Sequence, residues 1–129
     1  MTDRETLYQY RLQQAEETLA DARQMYEAAL SPRSVINRAY YAAFYMILAL
    51  FQQHNLNPKT SKHSGVIGLF DQHWIMTGKL DRRMGKHIHS LFDSRQEGDY
   101  RELIDVTRDD ALEAVEKATE FIRTLQGLT

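Results

Sequence analysis

The 129-residue sequence has no cysteine, two prolines and six glycines. The missing cysteine excludes disulfides, thiol nucleophiles and thiolate metal ligands, and it suits a reducing, cytoplasmic setting. So few breakers leave room for long regular elements. The longest apolar-rich run, AYYAAFYMILALF from Ala39 to Phe51, is shorter than a bilayer span and reads as a buried helix, so no membrane association is expected. The opening stretch MTDRETLYQYRLQQAEE carries no apolar core of the signal-peptide type. Neither charge is in large excess: 16 Lys and Arg stand against 18 Asp and Glu, so any contact with a polyanion has to be local.

What is present is 43% hydrophobic and 26% charged, a globular composition, at a length that fits one domain over residues 1–129. The pattern predicts an all-α, up-and-down bundle of about five helices. Thr2 with Glu5 forms a capping box for a first helix to about Ala29, whose apolar stripe is Tyr8, Leu12, Ala15, Leu19, Ala22, Tyr26 and Ala29. Ser31 followed by Pro32 opens a second helix, to about Gln53, which is apolar nearly all round its second half and is expected at the centre. HNLNPKTSK reads as a loop. A third helix is expected from His63 to Met76, anchored by Val66, Ile67, Leu69, Phe70, Trp74 and Ile75 and closed by TGK. A fourth runs from Asp81 to about Gln96, with EGDYRELIDV as an irregular connection. Thr107 with Asp110 caps a fifth, which sends Ala111, Leu112, Val115, Ala118, Ile122 and Leu125 inward.

Helix four carries an anomaly. Met84, Ile88 and Leu91 form an apolar stripe at three- and four-residue steps, and the next position on it is Arg95. Its other stripe, Arg82, Lys86, His89 and Asp93, reads as solvated. An arginine continuing an apolar stripe must snorkel, pair or meet an anion in a cleft. Asp99, four residues on, is a candidate partner if the helix passes Gly98, and Tyr100 adds a hydroxyl. An ion pair pinning the helix end is the plain alternative. The sharper one is a phosphate site, because the guanidinium fork matches phosphate oxygens in bidentate fashion.

Helix two holds the second oddity. Ser34, Arg38, Tyr41 and Tyr45 share one face, with Asn37 beside them, while Tyr40, Phe44, Ile47 and Phe51 share a core face. Asn37 and Arg38 open an otherwise buried helix and need partners, which Arg95, Asp99 and Tyr100 can supply.

Elsewhere the signals are weaker. His87 and His89, two apart on a helix, face opposite ways and cannot chelate one ion; His54, His63 and His73 are scattered, so no metal and no cofactor is expected. His63 sits near a helix start beside Ser61, Lys62 and Ser64, where it either meets a phosphate or plays a capping or surface role. KLDRRMGKHIH concentrates Lys79, Arg82, Arg83 and Lys86, a solvated face, a phosphate-tracking patch or a docking surface for an acidic partner.

NRAYYAAFYMILALF, KTSKHSGVIGLF, TGKL and SRQEGDY, in that order, resemble the HEPN domain in its small stand-alone prokaryotic branch, from Ser34 to about Phe121. The resemblance implies a helical bundle, a homodimer, and a gene neighbouring a minimal nucleotidyltransferase in a toxin–antitoxin or defence module. Many members are metal-independent RNases that use an arginine and a histidine four to six residues apart, with both protomers contributing to one cleft. Arg95 fits the family arginine. Five residues on, this chain has Tyr100 instead of histidine, and a phenol of ordinary pKa about 10 is a poor base near neutrality. Asp99 is a base only if its surroundings raise its pKa. Arg82 with His87, and Arg83 with His89, match the spacing by chance in a basic helix.

Three functions follow as expectations. The first is a nucleotide- or RNA-binding partner of a nucleotidyltransferase, with Asn37, Arg38, Tyr41, His63 and Arg95 as binding residues. The second is an RNase toxin using Arg95, Tyr100 and Asp99. The third is a non-catalytic adaptor whose polar cluster only fixes the bundle.

Overall fold

The computed structural model describes residues 2–100 and 105–128, the side chains of 97–100 excepted. The regular structure among the described residues is helical: α1 (Asp3–Glu27), α2 (Pro32–Gln53), α3 (His63–Phe70) prolonged by one wide turn (Asp71–Ile75), α4 (Arg82–Tyr100) and α5 (Arg108–Gln126). The helix starts follow the caps. The Thr2 hydroxyl accepts from the Glu5 N–H at 3.1 Å while the Glu5 carboxylate accepts from the Thr2 N–H, and Thr107 with Asp110 repeats the arrangement. At α2 the Ser31 hydroxyl accepts from the Ser34 N–H, with Pro32 in the first turn.

Helix α2 is the axis of the bundle, packed against α1, α4 and α5. By length and composition it could cross a membrane, yet most of it is buried inside this fold as the core helix. Tyr40, Met46, Ile47, Leu50 and Phe51 are fully buried against Phe70, Met84, Ile88, Leu91, Phe121 and Ile122 from the surrounding helices. Both ends of the α1–α2 pair stop in the same way. Past α1, the Leu30 N–H reaches back to the Met25 carbonyl at 3.0 Å, and past α2 the Leu56 N–H reaches the Phe51 carbonyl at 2.9 Å. Each closure needs a left-handed residue between, here Ala29 (φ 57°) and Asn55 (φ 55°).

Four sequence expectations are corrected. Ala29 is not an inward position of α1 but an exposed residue past its end. Leu112 is 36% exposed, and Phe121, absent from the expected stripe, is fully buried in its stead. The third helix does not stay regular to Met76: the Met76 N–H bonds the Asp71 carbonyl five residues back at 2.8 Å, and Gly78 (φ 76°) then turns the chain. The fourth helix continues through Gly98 to Tyr100, because one glycine costs a helix only about 1 kcal/mol.

Candidate anion-binding site

The site forms where the middle of α2, the start of α3 and the late part of α4 converge. Tyr40 and Tyr41 are consecutive on α2, so they diverge by about a quarter turn. Tyr40 is fully buried and Tyr41 half-buried. The loop before α3 is drawn in closely: the Lys62 N–H donates to the Thr60 hydroxyl at 3.1 Å, and a Cβ at Gly65 would stand 2.5 Å from the Thr60 methyl carbon. The His63 ring lies against α2.

There the imidazole stacks on Phe44, ring centres 4.0 Å apart and planes 17° from parallel, with Tyr41 edge-on at 5.6 Å. Its Nδ1 lies 2.7 Å from the Tyr40 hydroxyl. From α4, Arg95 donates to the Tyr41 hydroxyl at 3.3 Å, and its guanidinium carbon stands 5.6 Å from the Tyr40 ring centre and 5.3 Å from that of Tyr41. Arg38 brings a second guanidinium to Tyr41, at 5.2 Å, and donates to the Asn37 side-chain oxygen at 3.2 Å. Beside it opens a shallow depression of about 350 Å³ lined by Met25, Arg33, Ser34, Asn37 and Arg38. Two cations meeting at one phenol ring form a local positive centre on a chain of net charge −2.

The electrostatics follow from burial and from Arg95. Burial raises the Tyr40 pKa well above that of an ordinary phenol; Arg95 opposes the shift and Tyr41 adds to it. The same phenol therefore stays protonated. Burial, with the Arg95 charge second, lowers the pKa of His63, which keeps the imidazole neutral near pH 7.

The structure brings together five of the residues expected from sequence: Asn37, Arg38, Tyr41, His63 and Arg95. His63 does not cap α3, whose N-cap is Lys62, and its half-buried imidazole packs against Tyr40, Tyr41 and Phe44. The side chains of Asp99 and Tyr100 lie outside the described residues. The two chance-spaced pairs go elsewhere: Arg83 and His87 both meet Glu120 on α5, and His89 meets Asp71. Sequence reasoning missed Tyr40, whose core periodicity hid its second role. Its hydroxyl, needing a partner once buried, was the available signal.

Comparison with known proteins bears on the family. The profile of the HEPN domain matches residues 8–128. A Thermotoga maritima protein named "UPF0332 protein" is 33% identical over 128 residues, which covers 99% of this chain and 95% of the relative. A Methanocaldococcus jannaschii protein named "Putative toxin" is 31% identical, covering 86% of this chain and 74% of its own length. A second protein of that organism with the same description is 38% identical over 86 residues, covering 67% of this chain and 62% of the relative.

Proposed function

The chain belongs to the HEPN family, and from that premise we propose that it is a toxin-type member which binds a phosphate group of RNA or of a nucleotide at the Arg95 cluster. In this reading it acts as a homodimer and as the partner of a minimal nucleotidyltransferase in a two-gene module. The toxin-type part is supported by the two relatives that carry that description; the partnership rests on the family resemblance.

The binding part is carried by one observation: Arg95 and Arg38, from different helices, converge on Tyr41, with the His63 ring edge-on to the same phenol. Guanidinium groups suit phosphate oxygens, and half-buried Tyr45, next to Tyr41, offers an aromatic ring on which an unpaired base can stack. A fluorescein-labelled single-stranded RNA followed by anisotropy tests this. The affinity is expected to fall steeply with salt and to drop at least tenfold in Arg95→Ala, with the helical signal unchanged. Equal affinity in the variant contradicts the assignment. A small nucleotidyltransferase encoded by the adjacent reading frame, co-purifying with this chain, is the corresponding test of the partnership.

A second reading, metal-independent RNA cleavage at the same cluster, is favoured by the presence of an imidazole beside the arginine field. It expects RNA to be cut in the presence of chelator and the cutting to vanish in Arg95→Ala.

A further inference from the structure

We infer that Tyr40 is a positioning residue that holds His63 in the tautomer with its proton on Nε2, so that the cluster offers an anion a neutral imidazole N–H beside the arginines and does not offer a base. This rests on the phosphate-binding reading of the site and decides between that reading and cleavage.

One proton separates the Tyr40 oxygen and Nδ1 of His63, which stand 2.7 Å apart. If Nδ1 carried it, the phenol oxygen would accept, and the phenol's own hydrogen would need another acceptor. Tyr40 is fully buried, and its hydroxyl has no further hydrogen-bond partner among the described residues. A sealed O–H with nothing to donate to is costly, whereas the reverse arrangement leaves no hydrogen stranded. The intrinsic chemistry agrees: the bare nitrogen of an imidazole, basic enough to protonate near pH 6.5, accepts far better than a phenol oxygen. The phenol therefore donates and Nδ1 accepts.

A neutral imidazole carries one ring proton, so that proton is on Nε2. The ring is half-buried, and Nε2 has no protein partner among the described residues and reaches solvent. Burial and Arg95 disfavour a second proton on the ring. The exposed edge is consequently an N–H donor of no net charge. Such a group can join Arg95 on a phosphate oxygen, but it has no lone pair with which to take the proton of a ribose 2′-hydroxyl while Tyr40 occupies Nδ1.

Long-range proton–nitrogen correlation on the ¹⁵N-histidine-labelled chain reads the tautomer directly, without ligand, at pH 7. The expected pattern for His63 is a bare Nδ1 and a protonated Nε2, relaxing toward a tautomer mixture in Tyr40→Phe. An Nδ1-protonated or doubly protonated ring in the unaltered chain overturns the inference. A second readout uses RNA anisotropy with two substitutions at one position. His63→Gln, which places an amide N–H near the former Nε2, is expected to keep affinity within about threefold, and His63→Ala to lose about tenfold, the scale of one hydrogen bond to a charged group. Equal losses in the two variants overturn it as well. The failures separate cleanly: the wrong tautomer sinks this inference whatever the chain binds, and undiminished RNA affinity in Arg95→Ala sinks the binding reading whatever the tautomer.

Discussion

Arg95 on α4 donates a hydrogen bond to the Tyr41 hydroxyl on α2, across 54 residues of sequence, at 3.3 Å. The same guanidinium lies within 6 Å of the Tyr40 ring centre, so one charge touches two consecutive aromatic residues of the core helix. Contacts of this kind are individually modest, about 0.5–1 kcal/mol each for a cation over a partly exposed ring. A stability measurement separates a binding group from a structural pin. Arg95→Ala is expected to lower stability by about 1–2 kcal/mol in urea unfolding, whereas a buried ion pair that fixes the bundle would lose roughly 3–5 kcal/mol. A loss in the higher range supports the adaptor reading instead.

The acid side of the stability curve reports on His63. Its pKa is lowered in the folded chain by burial and by Arg95, so the unfolded chain binds the proton more readily. Stability is then fully present above the unfolded value of about 6.5 and declines as pH falls toward the folded value. Urea midpoints at pH 7.5 and pH 5.0 are expected to differ less in His63→Gln than in the parent chain. An unchanged difference places the acid sensitivity elsewhere.

Tyr40 works at the other end. Burial raises its pKa above the ordinary phenol value, so the folded chain keeps a proton that the unfolded chain gives up as pH passes about 10. The contribution is present below that pH and is lost above it. Tyr40→Phe is expected to unfold less steeply between pH 9.5 and 11 than the parent chain, read by circular dichroism at 222 nm. Equal steepness contradicts the assigned environment.

Far from the site, Ala29 sits in the left-handed region at φ 57°, where a side chain crowds the following carbonyl. Ala29→Gly relieves that crowding without touching the core and is expected to stabilise the chain by about 1 kcal/mol, net of the larger freedom of an unfolded glycine. A lower melting temperature in the variant contradicts the reading of this turn.

Much of the bundle was legible because its signals are local. Thr2 with Glu5, Ser31 with Pro32, and Thr107 with Asp110 each mark a helix start within four residues, and the structure uses all three. Arg95 stood out because three- and four-residue steps lead to it from Met84, Ile88 and Leu91, which are buried as the pattern required. The part of the site that stayed hidden depends on tertiary approach. Nothing near Tyr40 announces that a histidine 23 residues on will return to its hydroxyl. The wide turn after Phe70 is illegible for a similar reason. It lies against Gly85 of α4, where a Cβ would come within 3.3 Å of Ile75. Dimerisation also changed footing. The aromatic residues of α2 are largely buried within one chain, at Tyr40, Phe44 and Phe51, so they leave little apolar surface to call for a partner, and the family resemblance is its support.

The most direct measurement titrates the ¹⁵N-labelled chain with a short single-stranded RNA and maps which side-chain signals move. Phosphate held at the proposed cluster is expected to shift the Arg95 guanidinium N–H and the His63 ring first, with Arg38 following, at RNA concentrations that leave the α4 basic face unchanged. Shifts confined to Arg82, Lys86 and their neighbours, with Arg95 and His63 unmoved at saturation, contradict the assignment of this cluster as the binding site.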